Sequence, residues 1–286
     1  MKRLALPEHD YATTIDLCIL GIHGNTGLLT RFRNSRDELD TIAVDYSDKA
    51  SRGELYQITA TSSSDAEIAN ELSRADFSKL YEYYFRDKRK PARQVYEKIM
   101  SAALEKCPYC GDIGTPKNLD HYLPRTSFPQ FSILPINLIP SCRDCNMDEK
   151  GAEYSQSANE QIIHPYMDKD HFFSDQWISA RFNDSPDGIT EFEFFVDAPL
   201  GWCDTDKEIV ASHFKKFNIA ERYSLISGSH FVELKAQLDH WEQTVPLPVS
   251  DFPEAILLPI IKNAPFRNQW KRVMYRTLID CSWPQV

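Results

Sequence analysis

No apolar run in this chain approaches the roughly 20 residues that a membrane-spanning helix requires; the longest lies around residues 256–261. The N-terminus, MKRLALPEHDY, has no apolar core of signal-peptide length. Both absences predict a cytoplasmic protein without membrane insertion. There is no internal repeat and no low-complexity tail, which removes solenoids and biased linkers from consideration. An excess of basic charge is missing too. Lys and Arg number 32 against 42 Asp and Glu, a formal net charge of −10. That balance excludes bulk electrostatic attraction to nucleic acid and leaves only local basic patches to hold phosphate.

What is present describes a folded globular chain. Its 286 residues suffice for one large domain or two to three small ones. The hydrophobic content of 42% separates it from disordered sequences. Seven cysteines are unevenly placed. Cys18, Cys203 and Cys281 stand alone and suit small buried side chains, while Cys107, Cys110, Cys142 and Cys145 form two Cys-x-x-Cys pairs. In a cytosolic chain such pairs are metal ligands before they are disulfides.

The spacing predicts a mainly helical region over residues 1–105, a motif-bearing core over 106–166, and a C-terminal region over 167–286. In the first region, residues 36–56 carry apolar positions at helical intervals, Ser63 and Ser64 look like a helix start, and residues 95–104 form a short helix before Cys107. In the last, alternation over 177–182 and 189–196, separated by the turn signal NDSPDG, predicts a β-hairpin. Helices are expected over 206–217 and 219–241, with Asn218 as a cap between them, and over 266–281.

The chemistry concentrates in residues 107–150. CPYCG is a zinc knuckle in which Gly111 permits the turn, and CRDC supplies the partner pair. Four thiolates would close the coordination of Zn2+ and leave no position for substrate, so the expected role is structural. Between the pairs lies Asp120-His121, and Asn146 follows the last cysteine. A hard cation takes oxygen ligands, which Asp120 and Asn146 could offer. An imidazole beside them could take a proton from water.

Read in order, CPYCG, LDHYLPR, INLIPSC and CNMDEK resemble the HNH, or ββα-metal, endonucleases over about 45 residues. The resemblance implies an α+β fold with a small ββα-metal core between mainly helical flanks. It also implies His121 as general base, Asn137 as the brace of the loop that carries it, and Asp120 and Asn146 as ligands of a catalytic Mg2+ or Mn2+. Asn146 stands where many members have His. The implied reaction is phosphodiester hydrolysis, with DNA as partner and 5′-phosphate and 3′-hydroxyl ends as products. An HNH core between helical extensions further resembles nuclease effectors of bacterial anti-phage systems of the Zorya and Septu types, which act with other subunits.

Arg125 and Lys150 lie close enough in sequence to reach a phosphate, as solvated charges would also. Lys88, Arg89, Lys90 and Arg93 form one basic patch, and Lys271 and Arg272 belong to another between residues 262 and 276. Each could track a nucleic-acid backbone or face solvent. His164, in the HPY segment, could support the site or pack against Tyr166. A zinc-stapled module that binds nucleic acid or protein without cutting is the competing reading, and a regulatory partner that docks through its flanking helices is a third. Only the nuclease requires Asp120, His121 and Asn146 together.

Overall fold

The computed structural model describes residues 1–62, 67–184 and 190–284. It is mixed helix and sheet, with two small antiparallel hairpins among many helices. The chain divides into two compact units. One comprises Arg3–Tyr109 with Gly114–Asp168; the other comprises Met1–Lys2, Cys110–Ile113 and Lys169–Val286. Most of the helical N-terminal region and most of the motif stretch fall in the same unit.

In the first unit, α1 (Tyr11–Leu20) ends at Gly21, and α2 (Thr26–Asn34) starts on the Asn25 side chain, which accepts from Leu28 N. Helix α3 (Arg36–Arg52) stops at Gly53, whose φ of 68° is the left-handed closure that glycine adopts without strain. The predicted helix start at Ser63 and Ser64 falls outside the described residues. The helix that follows, α4 (Arg74–Lys79), opens on a capping box between Ser73 and Asp76 and widens into a π-helical turn, Leu80–Phe85. Helix α5 (Arg93–Ala102) delivers the chain to Cys107.

Strands β1 (Asn118–His121) and β2 (Leu138–Ser141) pair antiparallel, with Asp120 opposite Ile139 and His121 opposite Leu138. A short helical segment, Asp144–Lys150, follows β2 directly. Phe32, Tyr46, Phe77, Phe85 and Phe131 are fully buried around this strand pair and the helices α2 to α4.

The second unit begins its regular structure with a single turn, α6 (His171–Ser174), and a hairpin of β3 (Ile178–Asp184) and β4 (Thr190–Val196). The turn residues 185–189 lie outside the described set. Helices α7 (Asp204–Lys216) and α8 (Ile219–Thr244) follow, then α9 (Leu258–Asn263) and α10 (Trp270–Asp280). Asn218 precedes α8 in the left-handed conformation, φ 47°, and its amide nitrogen donates to Glu221 Oε2. It therefore turns the chain between the helices without the side-chain cap that its position suggests.

Phe231 of α8 packs edge-on against Phe182 and Phe192, and Tyr223 against Phe194. Such pairs add about 0.5–1.5 kcal/mol each beyond area burial. Buried Asn268 accepts from Trp177 N and Ile178 N and donates to Asp175 O, which fixes the start of β3 beside the segment leading to α10. Among the described residues, no helix is long and apolar enough to cross a membrane.

Candidate active site and metal centre

The cysteine spacing produces a cluster. Cys107, Cys110, Cys142 and Cys145 are all buried, and their sulfur atoms lie within 4.8 Å of one another. Thiolates around a tetrahedral ion at 2.3 Å would be roughly 3.8 Å apart, so the cluster fits a metal ion such as zinc. The first pair bends because Cys107 N donates to Gly114 O at 2.9 Å and Gly111 takes φ 59°. A side chain at Gly111 would also meet the Tyr223 hydroxyl at 2.6 Å.

His121 closes β1 and is 8% exposed. Its Nε2 lies 2.9 Å from the carbonyl oxygen of Ser132. A carbonyl can only accept, so Nε2 carries the proton and Nδ1 keeps the lone pair. The ring stands edge-on to Tyr81 at 4.8 Å. Burial pushes its pKa down to about 3, against the opposing pull of the Ser132 carbonyl and with added repulsion from Arg125 and Lys150. The imidazole is consequently neutral at physiological pH, the state that a base needs.

Asn137 is fully buried and uses its whole amide. Nδ2 donates to the carbonyls of Leu123 and Phe131, and Oδ1 accepts from Leu123 N and from the Tyr46 hydroxyl. Tyr122 N also donates to Asn137 O. The turn that leaves His121 is thereby tied to the start of β2 at several points. Tyr46, contributed by α3, links further to His164, which lies 2% exposed against the Tyr122 ring.

Asp120 is 4% exposed and already has partners. The Tyr109 hydroxyl donates to Oδ2 at 3.1 Å, and Lys150 Nζ lies 3.2 Å from the same oxygen. Lys150 also donates to the His121 carbonyl at 2.7 Å. Burial raises the Asp120 carboxyl above the usual range, with the Lys150 charge opposing. Asn146 is half-buried, and its Nδ2 donates to Asn118 Oδ1 at 2.9 Å, leaving its own Oδ1 as an acceptor. Asp120 and Asn146 thus offer oxygen donors of the type a hard cation takes, although Lys150 now supplies the counter-charge to Asp120.

The expected nucleic-acid contacts divide. Lys150 is buried at 3% exposure and faces Asp120, not solvent. Arg125 pairs with Glu82 at 2.8 Å and lies over the Tyr81 ring. In the first patch Arg89 binds Asp87, Lys90 donates to Gly21 O, and Arg93 pairs with Glu97, while Lys88 is exposed. In the second, Lys271 lies over Trp270, and Arg272 is 4% exposed, an internal group and not a surface contact. Sequence reasoning missed Tyr46, Tyr109 and Ser132. Tyr46 approaches from a distant segment, Tyr109 sits inside the CPYCG knuckle, where it reads only as a spacer between the cysteines, and Ser132 acts through a backbone carbonyl that any residue would provide.

A strand pair, a following helical segment and a buried four-cysteine cluster define a small mixed helix-and-sheet protein able to hold a metal ion such as zinc. The chain belongs to the family of Protein ea31 of Escherichia phage lambda, to which it is 39% identical over 294 residues, spanning 98% of this chain and 97% of that protein. No family model matches the chain. No solved structure matches it significantly.

Proposed function

We propose that the chain is a metal-dependent HNH endonuclease or nickase that hydrolyses DNA phosphodiester bonds. The observation that carries this reading is His121, whose Nε2–H is held by the Ser132 carbonyl on a loop braced by Asn137. That arrangement leaves Nδ1 as a fixed, neutral base. A structural zinc on Cys107, Cys110, Cys142 and Cys145 would set the frame, since four thiolates leave no open position. Mg2+ or Mn2+ on Asp120 and Asn146 would supply charge stabilisation for the scissile phosphate and the leaving oxygen.

The residues' own work follows from their contacts. His121 Nδ1 would accept the proton of the attacking water. Asn137 would keep the imidazole from turning, and the Ser132 carbonyl would hold the other ring proton in place through the reaction. Lys150 would orient the Asp120 carboxylate and relinquish it in part when a cation binds. By the same resemblance, the products would carry 5′-phosphate and 3′-hydroxyl ends. A place among anti-phage nuclease effectors with partner subunits is part of the proposal and rests on the arrangement of core and flanks.

A zinc-stapled binding module is the second reading, favoured by the Lys150 and Tyr109 contacts that already satisfy Asp120. Supercoiled plasmid incubated with magnesium or manganese separates the two. The nuclease reading expects nicking by the wild type and a loss of at least about 100-fold in His121→Ala, the usual worth of a general base. Equal nicking by both proteins, or none by either with any divalent metal, would sink it.

A further inference from the structure

We propose that the groove between β3 and α10 binds the phosphodiester backbone of a nucleic acid through Arg181 and Arg276, with the buried Arg272, bonded to the lining residue Gln176, as an added positive charge. The proposal rests on the nuclease reading for the identity of the anion as DNA. The groove has a volume of about 300 Å³ and is lined by Gln176, Ser179, Arg181, Arg276, Thr277 and Asp280, among others.

Its charge is unbalanced in a particular way. Arg267, Arg272 and Arg276 lie within ten residues, and among the described residues no carboxylate comes within ion-pair distance of any of them. Arg272 is 4% exposed, yet its guanidinium meets only neutral acceptors. Nη1 donates to Gln176 Oε1 at 2.6 Å and to the Arg267 carbonyl at 2.9 Å. Burying a cation without an anion is costly, and a cation whose near neighbours are two more cations is costlier still. Burial, then Arg267 and Arg276, depress the Arg272 pKa, the same imbalance seen from the group itself.

An anion entering the groove would relieve that imbalance. Arg276 follows Arg272 by one helical turn, so the two lie on one face of α10, with Arg276 exposed to solvent. Arg181 reaches the groove from β3. Its pairing with Glu193 at 3.2 Å is solvent-exposed on both sides and hence weak enough to exchange for phosphate. Its guanidinium lies 4.2 Å from the centre of the Phe195 ring, which limits its freedom and orients it. Ser179 and Thr277 line the same groove, but their hydroxyls already donate to Asp197 Oδ2 and to the Val273 and Ala180 carbonyls, so the contacts to phosphate would fall to the arginines. Asp280 lines the groove, Glu193 pairs with Arg181 and Asp197 accepts from the Ser179 hydroxyl at 3.1 Å, and these acidic groups would restrict the anion to the Arg181–Arg276 end.

The test measures binding without cleavage. The full-length His121→Ala protein is titrated with fluorescein-labelled duplex DNA at several salt concentrations, alone and with Arg181→Ala/Arg276→Ala added. Both arginines are on the surface, and a thermal melt checks that the fold is kept. The expected result is an affinity lower by about tenfold and a salt slope smaller by roughly 2. A Lys207→Ala/Lys215→Ala pair on α7 removes the same charge and should leave both quantities nearly unchanged. An unaltered affinity and slope in the arginine variant overturns the proposal. So does an equal loss in the lysine control, absence of any DNA binding at low salt, or arginine-dependent binding of inorganic phosphate alone. Plasmid nicking by the wild type is scored separately. A protein that binds through the groove and does not nick defeats the nuclease reading only, and one that nicks with groove-independent binding defeats the groove only.

Discussion

At the residue scale, His164 shows how a buried histidine can be committed to one protonation state by its partners. Tyr166 N donates to its Nδ1 at 3.3 Å, and its Nε2 lies 3.4 Å from the Tyr46 hydroxyl. That hydroxyl has a single proton, which it gives to Asn137 Oδ1. The ring's N–H therefore has the tyrosine oxygen and the Ile136 carbonyl as acceptors, and the bond that Nδ1 accepts from Tyr166 N holds only for a neutral imidazole. Protonation of Nδ1 would set two N–H groups against each other. Burial is the main cause that lowers the pKa of His164 to about 3, from an ordinary 6.5. Between those values the unfolded chain binds a proton that the folded chain refuses. The stabilising contribution is thus complete above about pH 6.5 and is lost progressively as pH falls toward 3. Denaturant unfolding at a series of pH values over roughly 4 to 6 should give a stability slope for His164→Gln smaller than that of the wild type by about one proton. Identical slopes would mean that His164 is protonated inside the fold.

At the scale of elements, the two cysteine pairs join a knuckle at Cys107–Gly111 to the end of β2 and the segment Asp144–Lys150. A strand pair of four residues each has little stability alone, so metal binding by the cluster would be folding energy for the whole motif. Cys142→Ser should accordingly lose most of the zinc that the wild type carries, expected at about one ion per chain. It should also unfold at a lower temperature, and chelation should bring the wild type toward the variant. Equal metal content and equal melting would show the cluster to be an ordinary group of buried thiols. These elements were legible because their signals are local. Cys-x-x-Cys spacing, the alternation of β3 and β4, and the apolar periods of α3, α7 and α8 are all written in neighbouring residues. The partners of the site residues were not. Tyr46 meets Asn137 across 91 positions and Lys150 meets Asp120 across 30, and neither pairing leaves any periodicity to find. Arg272 is instructive because α10 buries Trp270, Val273, Met274, Tyr275 and Leu278, a face wide enough to take the arginine in with them. A count of basic residues on that helix gives charge but not direction.

For the whole molecule, the net charge of −10 and the local arginine cluster act on DNA at different ranges. At separations up to a Debye length, about 10 Å at 0.1 M salt, the overall field would repel a polyanion, and beyond that it is largely screened. Within contact distance, on the proposed binding mode, Arg181 and Arg276 would dominate, and each phosphate they neutralised would release counterions. Salt should therefore have opposite effects on the two halves of binding. Screening the long-range repulsion keeps the association rate flat or raises it, while weaker contacts speed dissociation. With about two or three phosphates engaged, affinity should fall roughly 10- to 50-fold between 50 and 200 mM salt, nearly all of it in the dissociation rate. Stopped-flow measurement of both rates on the His121→Ala protein checks this. An association rate that falls steeply with salt would show that a basic face governs the approach, as it does in proteins steered to DNA. Approach by a net-acidic chain would instead be slow and unsteered, so that, if the proposed nuclease reading holds, the protein would engage DNA efficiently only where something else brought it there.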